Sequence, residues 1–256
     1  MVEWGLVVKA DPDAGAINEY VPQLDRVLPQ LQPYIDSLWM TDHFFWGHKP
    51  THEAWTVNSY LAVHFPAYRI APIVLGQSYR NPALLAKMAA TLHSLSGGRL
   101  IMGIGAGWKE DEYRAYGYDF PRPCVRIEQL EDTLEIMKRL WTETGQVTYH
   151  GKHYDTFAER VAVVRQTCES IRRDPISMRM TWFGRVVVGR TEAEALARGG
   201  EWTKQNSLNG TPAQWVEEMN RFVALGCDMF MIEIIDIENP DVIDTMMHEV
   251  FPLVGG

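Results

Sequence analysis

The stretch Arg69–Gly107, RIAPIVLGQSYRNPALLAKMAATLHSLSGGRLIMGIGAG, decides the fold class. Arg69 to Leu75 is a short apolar run, which predicts a strand covered on both faces. Gly76 to Asn81 reads as a loop. Pro82 then opens a helix, since the N–H it lacks would have had no partner inside the first turn. Leu84, Leu85, Met88, Leu92 and Leu95 share one broad face of that helix, and Ser96-Gly97-Gly98 stops it. Arg99 to Ile104 predicts a further strand, running into a loop of alternating glycines at 103, 105 and 107. Strand, helix and strand in this order form a parallel β unit.

The same rhythm extends outward in both directions. Toward the N-terminus, Trp4 to Val8 predicts a strand and Tyr20 to Tyr34 a helix, with Val21, Leu24, Leu28 and Leu31 at helical spacing. Ser37 to Thr41 predicts a second strand ending at Asp42-His43, and Trp55 to His64 a helix. Toward the C-terminus, Pro123 begins the longest clear helix, and Met180 to Val188 is a strand. Thr191-Glu192-Ala193-Glu194 matches a capping box. Thr211-Pro212 starts a helix that Gly226 ends, ahead of an apolar strand from Met229 to Ile235. Six strands are clear, and a closed eight-stranded barrel and an open doubly wound sheet both accommodate them. Residues 145–179 fit the rhythm least: Gly145 to His153 reads as a small hairpin and Phe157 to Arg172 as a helix, with no strand between.

Composition narrows the function classes. The 256 residues are 46% hydrophobic and 22% charged, an ordinary globular balance, and the net charge of -9 argues against a general nucleic-acid binder. No apolar run approaches the ~18 residues of a membrane helix, and the N-terminus lacks a secretory pattern, so a cytoplasmic protein is expected. Cys124, Cys168 and Cys227 are odd in number and widely spaced, unlike a disulfide framework or a zinc ribbon.

Polar residues at the carboxyl ends of parallel strands are the site candidates under either topology. His43 can exchange a proton near neutral pH, and Asp42 beside it can hold a cofactor group. The plainer alternative is a cap and a loop histidine packed among Phe44, Phe45 and Trp46, whose rings can equally wall a pocket for a flat ligand. Gly103-Ile104-Gly105-Ala106-Gly107 allows close backbone approach, but Trp108 follows where a dinucleotide fingerprint continues toward its third glycine, so a Rossmann site is not supported. His43, His48, His52 and Glu53 make a barrel-type metal hydrolase conceivable, although their spacing is not the His-Glu-x-x-His pair; the expected metal set is none. Lys109-Glu110-Asp111-Glu112 reads as the start of a solvated helix. Arg80 stands between a strand and a helix, suited to an anion or to a loop-stabilising bond.

These strand ends resemble the bacterial-luciferase-like superfamily, especially its deazaflavin (coenzyme F420)-dependent oxidoreductases. The resembling segments are Leu38 to Phe45, Ser78 to Ala89, Leu95 to Leu100, Gly103 to Trp108, Glu110 to Tyr113 and the Thr211-Pro212 helix start. The resemblance implies an α/β fold of the (β/α)8 TIM-barrel type and an oxidoreductase using reduced F420 or FMN, by hydride transfer or monooxygenation of a small organic substrate. It implies His43 as the acid/base residue and Asp42, Val74, Leu75, Gly76, Gly105, Ala106 and Gly107 as cofactor-side positions, with Trp46 on the substrate side. Molecular oxygen enters as co-substrate in the monooxygenase branch, and a homodimer is a common assembly in the superfamily; neither nucleic acid nor membrane is implied as a partner.

One departure from the family pattern bears on the fold. After Lys152-His153-Tyr154 the family continues into a fifth strand ending in glycines, a helix and a sixth strand, whereas here the chain passes almost directly into Val161 to Arg173. The expectation is a single luciferase-like barrel domain over 1–256, lacking the block of strands 5 and 6, with a deletion or missing segment near 155–162. A non-catalytic, barrel-derived binding or assembly protein is the alternative that this gap raises.

Overall fold

The computed structural model describes residues 2–8, 20–143, 179–206, 208–224 and 226–255. Cys168, the hairpin and helix read over 145–172, and the gap near 155–162 lie outside them. The chain forms two compact units, one of residues 1–39 and 179–256, the other of residues 40–178.

The first unit is built on long parallel strands. β1 (Glu3–Val8), β2 (Ile35–Met40, of which Met40 belongs to the second unit), β8 (Met180–Val188), β9 (Leu208–Gly210) and β10 (Cys227–Ile234) lie in the order β2-β1-β10-β8-β9. β1 pairs with β10 and β10 with β8, all parallel, with Trp4 opposite Phe230 and Ile232 opposite Gly184. α1 (Tyr20–Leu31) buries Leu24, Val27, Leu28 and Leu31, the spacing expected of its apolar face. In the core Trp4 stacks on Phe230 at a ring-centroid distance of 5.4 Å and meets Phe251 at a tilt at 4.6 Å.

Helix boundaries here follow local chemistry. Thr191 precedes α6 (Glu192–Asn206), and its hydroxyl accepts from the Glu194 amide at 3.1 Å. Glu194 accepts from the Arg190 amide at 3.0 Å instead of the Thr191 amide, one residue earlier than the reciprocal box. Thr211 caps α7 (Pro212–Ala224) with Gln214, which accepts from the Thr211 amide at 2.9 Å. Beyond β10, α8 (Pro240–Thr245), capped by Asn239, is an element that the sequence rhythm did not reveal.

The second unit has the same alternation with shorter strands. A two-residue hairpin of β3 (Phe45–Trp46) and β4 (Lys49–Pro50) leads to α2 (Ala54–His64) and β5 (Arg69–Pro72). The predicted strand Arg69–Leu75 is interrupted: the Ile73–Val74 peptide is cis, and β6 (Leu75–Gly76) resumes after it. α3 (Pro82–Leu95) is capped by Asn81, whose side chain accepts from the Ala83 amide at 3.0 Å. The predicted strand Arg99–Ile104 is reduced to β7 (Ile104–Gly105) and a single bridge from Leu100 to Ile70, because Gly103 and its neighbours pack edge-on against Pro72 and Val74. α4 (Glu110–Ala115) and α5 (Pro123–Thr142) complete the unit. Among the described residues no helix is long and apolar enough to cross a membrane.

Candidate functional site

The strand tips of the second unit converge. β6 and β7 pair in parallel, Leu75 opposite Ile104 and Gly76 opposite Gly105, which sets Val74-Leu75-Gly76 beside Gly105-Ala106-Gly107. A Cβ at Gly105 would lie 2.6 Å from the Val74 side chain, and one at Gly103 would overlap the Pro72 carbonyl. Gly107 combines φ +75 with a Cβ position already occupied by the Tyr113 hydroxyl. These glycines are therefore required by close approach within the chain itself.

Asp42 joins two of the tips. Its carboxylate, buried, accepts from the Gly76 amide at 2.9 Å and bidentately from Arg80 at 2.7 and 3.1 Å. Arg80 also binds Glu53, the N-cap of α2, which accepts from the Trp55 and Thr56 amides at 3.0 and 2.7 Å. Burial raises the Glu53 carboxyl most strongly, yet the Thr56 hydroxyl, these amides and Arg80 together hold it below its ordinary value. Arg80 is likewise buried at a cost to its charge, which Asp42 and Glu53 outweigh, so it stays protonated more firmly than usual. Of its two expected roles, Arg80 fills the loop-stabilising one.

His43 has a partner that the sequence did not point to. Its Nδ1 lies 3.0 Å from Oε2 of Glu112, whose side chain is 0% exposed. Oε1 of Glu112 accepts from the Phe44 and Phe45 amides at 2.9 and 3.2 Å, and the Tyr79 hydroxyl donates to Oε2 at 3.4 Å. Burial pushes the Glu112 carboxyl up, but His43 and the two amides more than reverse this and hold it low. The expectation of a solvated start to α4 is corrected here: Glu112 points inward, and Lys109 is 8% exposed, with its ammonium 2.7 Å from Asp111 and 4.1 Å from the centre of the Phe45 ring. One signal was available, since residues 109 and 112 stand three apart and occupy one face of a helix.

The aromatic residues divide into two groups. Phe44 packs among Tyr79, Tyr116 and Tyr118, the core alternative of the sequence reading. Trp46 lies 4.5 Å from the His43 ring, and Trp108, 64% exposed, meets His43 edge-on at 5.6 Å. The structure thus brings Asp42-His43 and the glycine loop together, and Trp108 and Glu112 join residues named from sequence. Val74 is 44% exposed beside Gly105, an apolar ridge of the shape a flat ring can rest on. The nearest cations, Arg80 and Lys109, are already paired within the chain. Among the described residues no group of three or more His, Cys, Asp or Glu side chains is placed to hold a metal ion. A cleft of about 400 Å³ between α2 and α3, lined by Ala62, Val63, Met88 and Leu95 among others, borders none of these tip residues.

Parallel α/β strands with polar residues gathered at their carboxyl tips define the class to which the scaffold of the second unit belongs. Within that class the chain belongs to the luciferase-like monooxygenase family, whose model matches residues 35–164. It is 34% identical over 125 residues to an F420-dependent glucose-6-phosphate dehydrogenase of Amycolatopsis mediterranei, a match covering 47% of this chain and 37% of the relative's length. The fold is shared with an F420-dependent secondary alcohol dehydrogenase in complex with an F420–acetone adduct (TM-score 0.74, 17% identity, 100% of this chain and 99% of that one). It is also shared with the FMN-bound oxygenating constituent of 3,6-diketocamphane monooxygenase of Pseudomonas putida (TM-score 0.68, 15% identity, 99% of both chains).

Proposed function

We propose that this chain is an oxidoreductase using reduced F420 or FMN, with F420 favoured by the F420-dependent relative that it matches over 125 residues. The observation that carries the reading is the meeting of His43 with Trp108 across the tips, 5.6 Å between ring centres, beside the Val74–Gly105 ridge. Val74, Gly105, Ala106 and Gly107 would hold the flat ring of the cofactor by apolar contact and backbone approach, and the buried Leu75 and Gly76 would support that surface from behind. Asp42 keeps the Gly76 backbone in place through the hydrogen bond at 2.9 Å. When bound, the cofactor supplies the hydride or, with molecular oxygen, the oxygenating chemistry. Trp46 and Trp108 shield the reacting centre from water and receive an apolar or ring-containing organic substrate. His43 gives or takes the proton that accompanies the change in oxidation state of the substrate.

The same reading treats residues 1–256 as one barrel-type domain shortened near 155–162, lacking the block of strands 5 and 6. Intact mass of the natural gene product tests this, and a mass exceeding that of the 256 residues by such a block would reject it. For the function, absorbance and native mass are measured after incubation with F420 and with FMN. Retention of one of them supports the assignment, and no titratable affinity for either sinks it. His43→Ala is expected to lower turnover by about 100-fold or more while changing cofactor affinity only slightly, the range typical of a lost general acid or base. Unchanged turnover would reject the acid/base role.

A further inference from the structure

Glu112 touches the tip of the second strand at three successive residues: the ring of His43 through Oε2, and the amides of Phe44 and Phe45 through Oε1. The two carboxylate oxygens are thus committed to different partners. Lys109 adds its charge on the Oε1 side, 3.6 Å away, and Tyr79 donates on the Oε2 side. A carboxylate in this setting is an acceptor only, so the proton in the His43–Glu112 contact has to reside on Nδ1. In the neutral ring, Nε2 then carries the lone pair. Among the described residues Nε2 has no hydrogen-bond partner, and the ring is flanked by Trp46 and Trp108.

We propose that Glu112 is a positioning residue that locks His43 in its Nδ1–H tautomer and leaves Nε2 as the atom that exchanges a proton with substrate. This rests on the reading of His43 as the proton-handling group. The proton passes between Nε2 and the substrate atom while the Nδ1 proton stays on the ring. The positive ring formed when Nε2 gains a proton is balanced by the Glu112 carboxylate 3.0 Å from Nδ1. The lock does not depend on a rotamer choice at Glu112. Turning the carboxylate away would strand two adjacent backbone amides as well as the ring N–H.

The geometry makes Glu112→Gln a sharp test, because the amide has one acceptor and one donor end. Two backbone N–H groups face the Oε1 position, so the glutamine carbonyl oxygen must take it. The amide nitrogen is then left opposite His43 Nδ1, where it donates, which drives the ring proton to Nε2. Wild type and Glu112→Gln are compared by nitrogen-15 NMR of the histidine rings at a pH where the ring of residue 43 is neutral. Its signals are assigned by their loss in His43→Gln.

The expected result is a protonated-type Nδ1 and an unprotonated-type Nε2 in the wild type, with the two shifts exchanged in Glu112→Gln. An averaged or Nε2–H ring in the wild type, or an unchanged Nδ1–H ring in Glu112→Gln, would overturn the proposal. If Glu112→Gln does not fold, the wild-type spectrum alone decides. Cofactor titration on the same samples separates the two claims: loss of all F420 and FMN affinity rejects the proposed function, whereas the tautomer is read without cofactor or substrate.

Discussion

The strands of the first unit and those of the second are made from similar residues and end differently. β8 and β10 run for nine and eight residues and pair in parallel, with one register shift between Cys227 and Met229 and unbroken pairing from there to Ile234, and the far halves of both are buried among apolar side chains. β6 and β7 are two residues each, preceded by a cis peptide and flanked by glycines that touch their neighbours. Ion pairs differ in the same sense. Arg185–Glu233 in the first unit is partly open, with side chains 30% and 12% exposed, while Glu112 in the second is sealed at 0%. Regular pairing serves the core, and irregular, polar, tightly interlocked backbone collects where side chains must be aimed.

The comparison breaks most decisively at Glu112. Replacing it by alanine leaves two amides and the partly buried His43 without their acceptor and removes a charge beside Lys109, and a loss of about 3–5 kcal/mol in urea unfolding is expected. Glu233→Ala in the first unit is expected to cost about 1 kcal/mol or less. Equal losses would show that the two pairs are equivalent. Gly103→Ala comes next, at about 3 kcal/mol, because the atom that it meets is a backbone carbonyl that cannot swing aside. Its counterpart is Gly226→Ala at the start of β10, where φ is +97 but nothing lies within 4 Å of the added methyl. That substitution is expected to cost only the backbone strain of about 1–2 kcal/mol.

Acid sharpens the contrast further. Glu112 has a lowered carboxyl in the folded protein, so its contribution to stability is complete above its ordinary value near 4.5 and disappears as the pH falls through the folded value. Stability of Glu112→Gln is therefore expected to decline less steeply than that of the wild type between about pH 5 and pH 3, followed by urea midpoints across that range. A wild type and variant with the same slope would contradict the assigned cause. A small effect belongs to Thr191→Ala at the start of α6, about 1 kcal/mol for a lost cap and no change in cofactor titration.

How much of this could be read in advance depended on the range of the interaction. Helix starts at Pro82 and Pro212 were legible because a proline and a cap residue act within a few positions, and the start at Pro123 by its proline alone. The strand tip at Asp42-His43 was legible for the same reason. The breaks at Ile73–Val74 and over Arg99–Ile104 were not, because apolar runs look alike whether the strand continues or is interrupted by a neighbour. Arg80 could be placed at a loop but not assigned to Asp42, 38 positions away. Glu112 was missed for a related reason. A glutamate among Lys109, Glu110 and Asp111 carries every mark of a surface residue, and only the fold brings it against the chain at 43–45. Trp108 stands at the end of the glycine motif, and its place against His43 follows from the turn at Gly107.

Because one carboxylate grips the ring of His43 and the two peptide groups after it, that corner of the molecule has no soft hinge. Anyone reshaping this corner for a bulkier ligand would gain little by hoping for the imidazole to lean aside. Room would have to be made instead at the solvent-facing indole of Trp108, which is free of that grip.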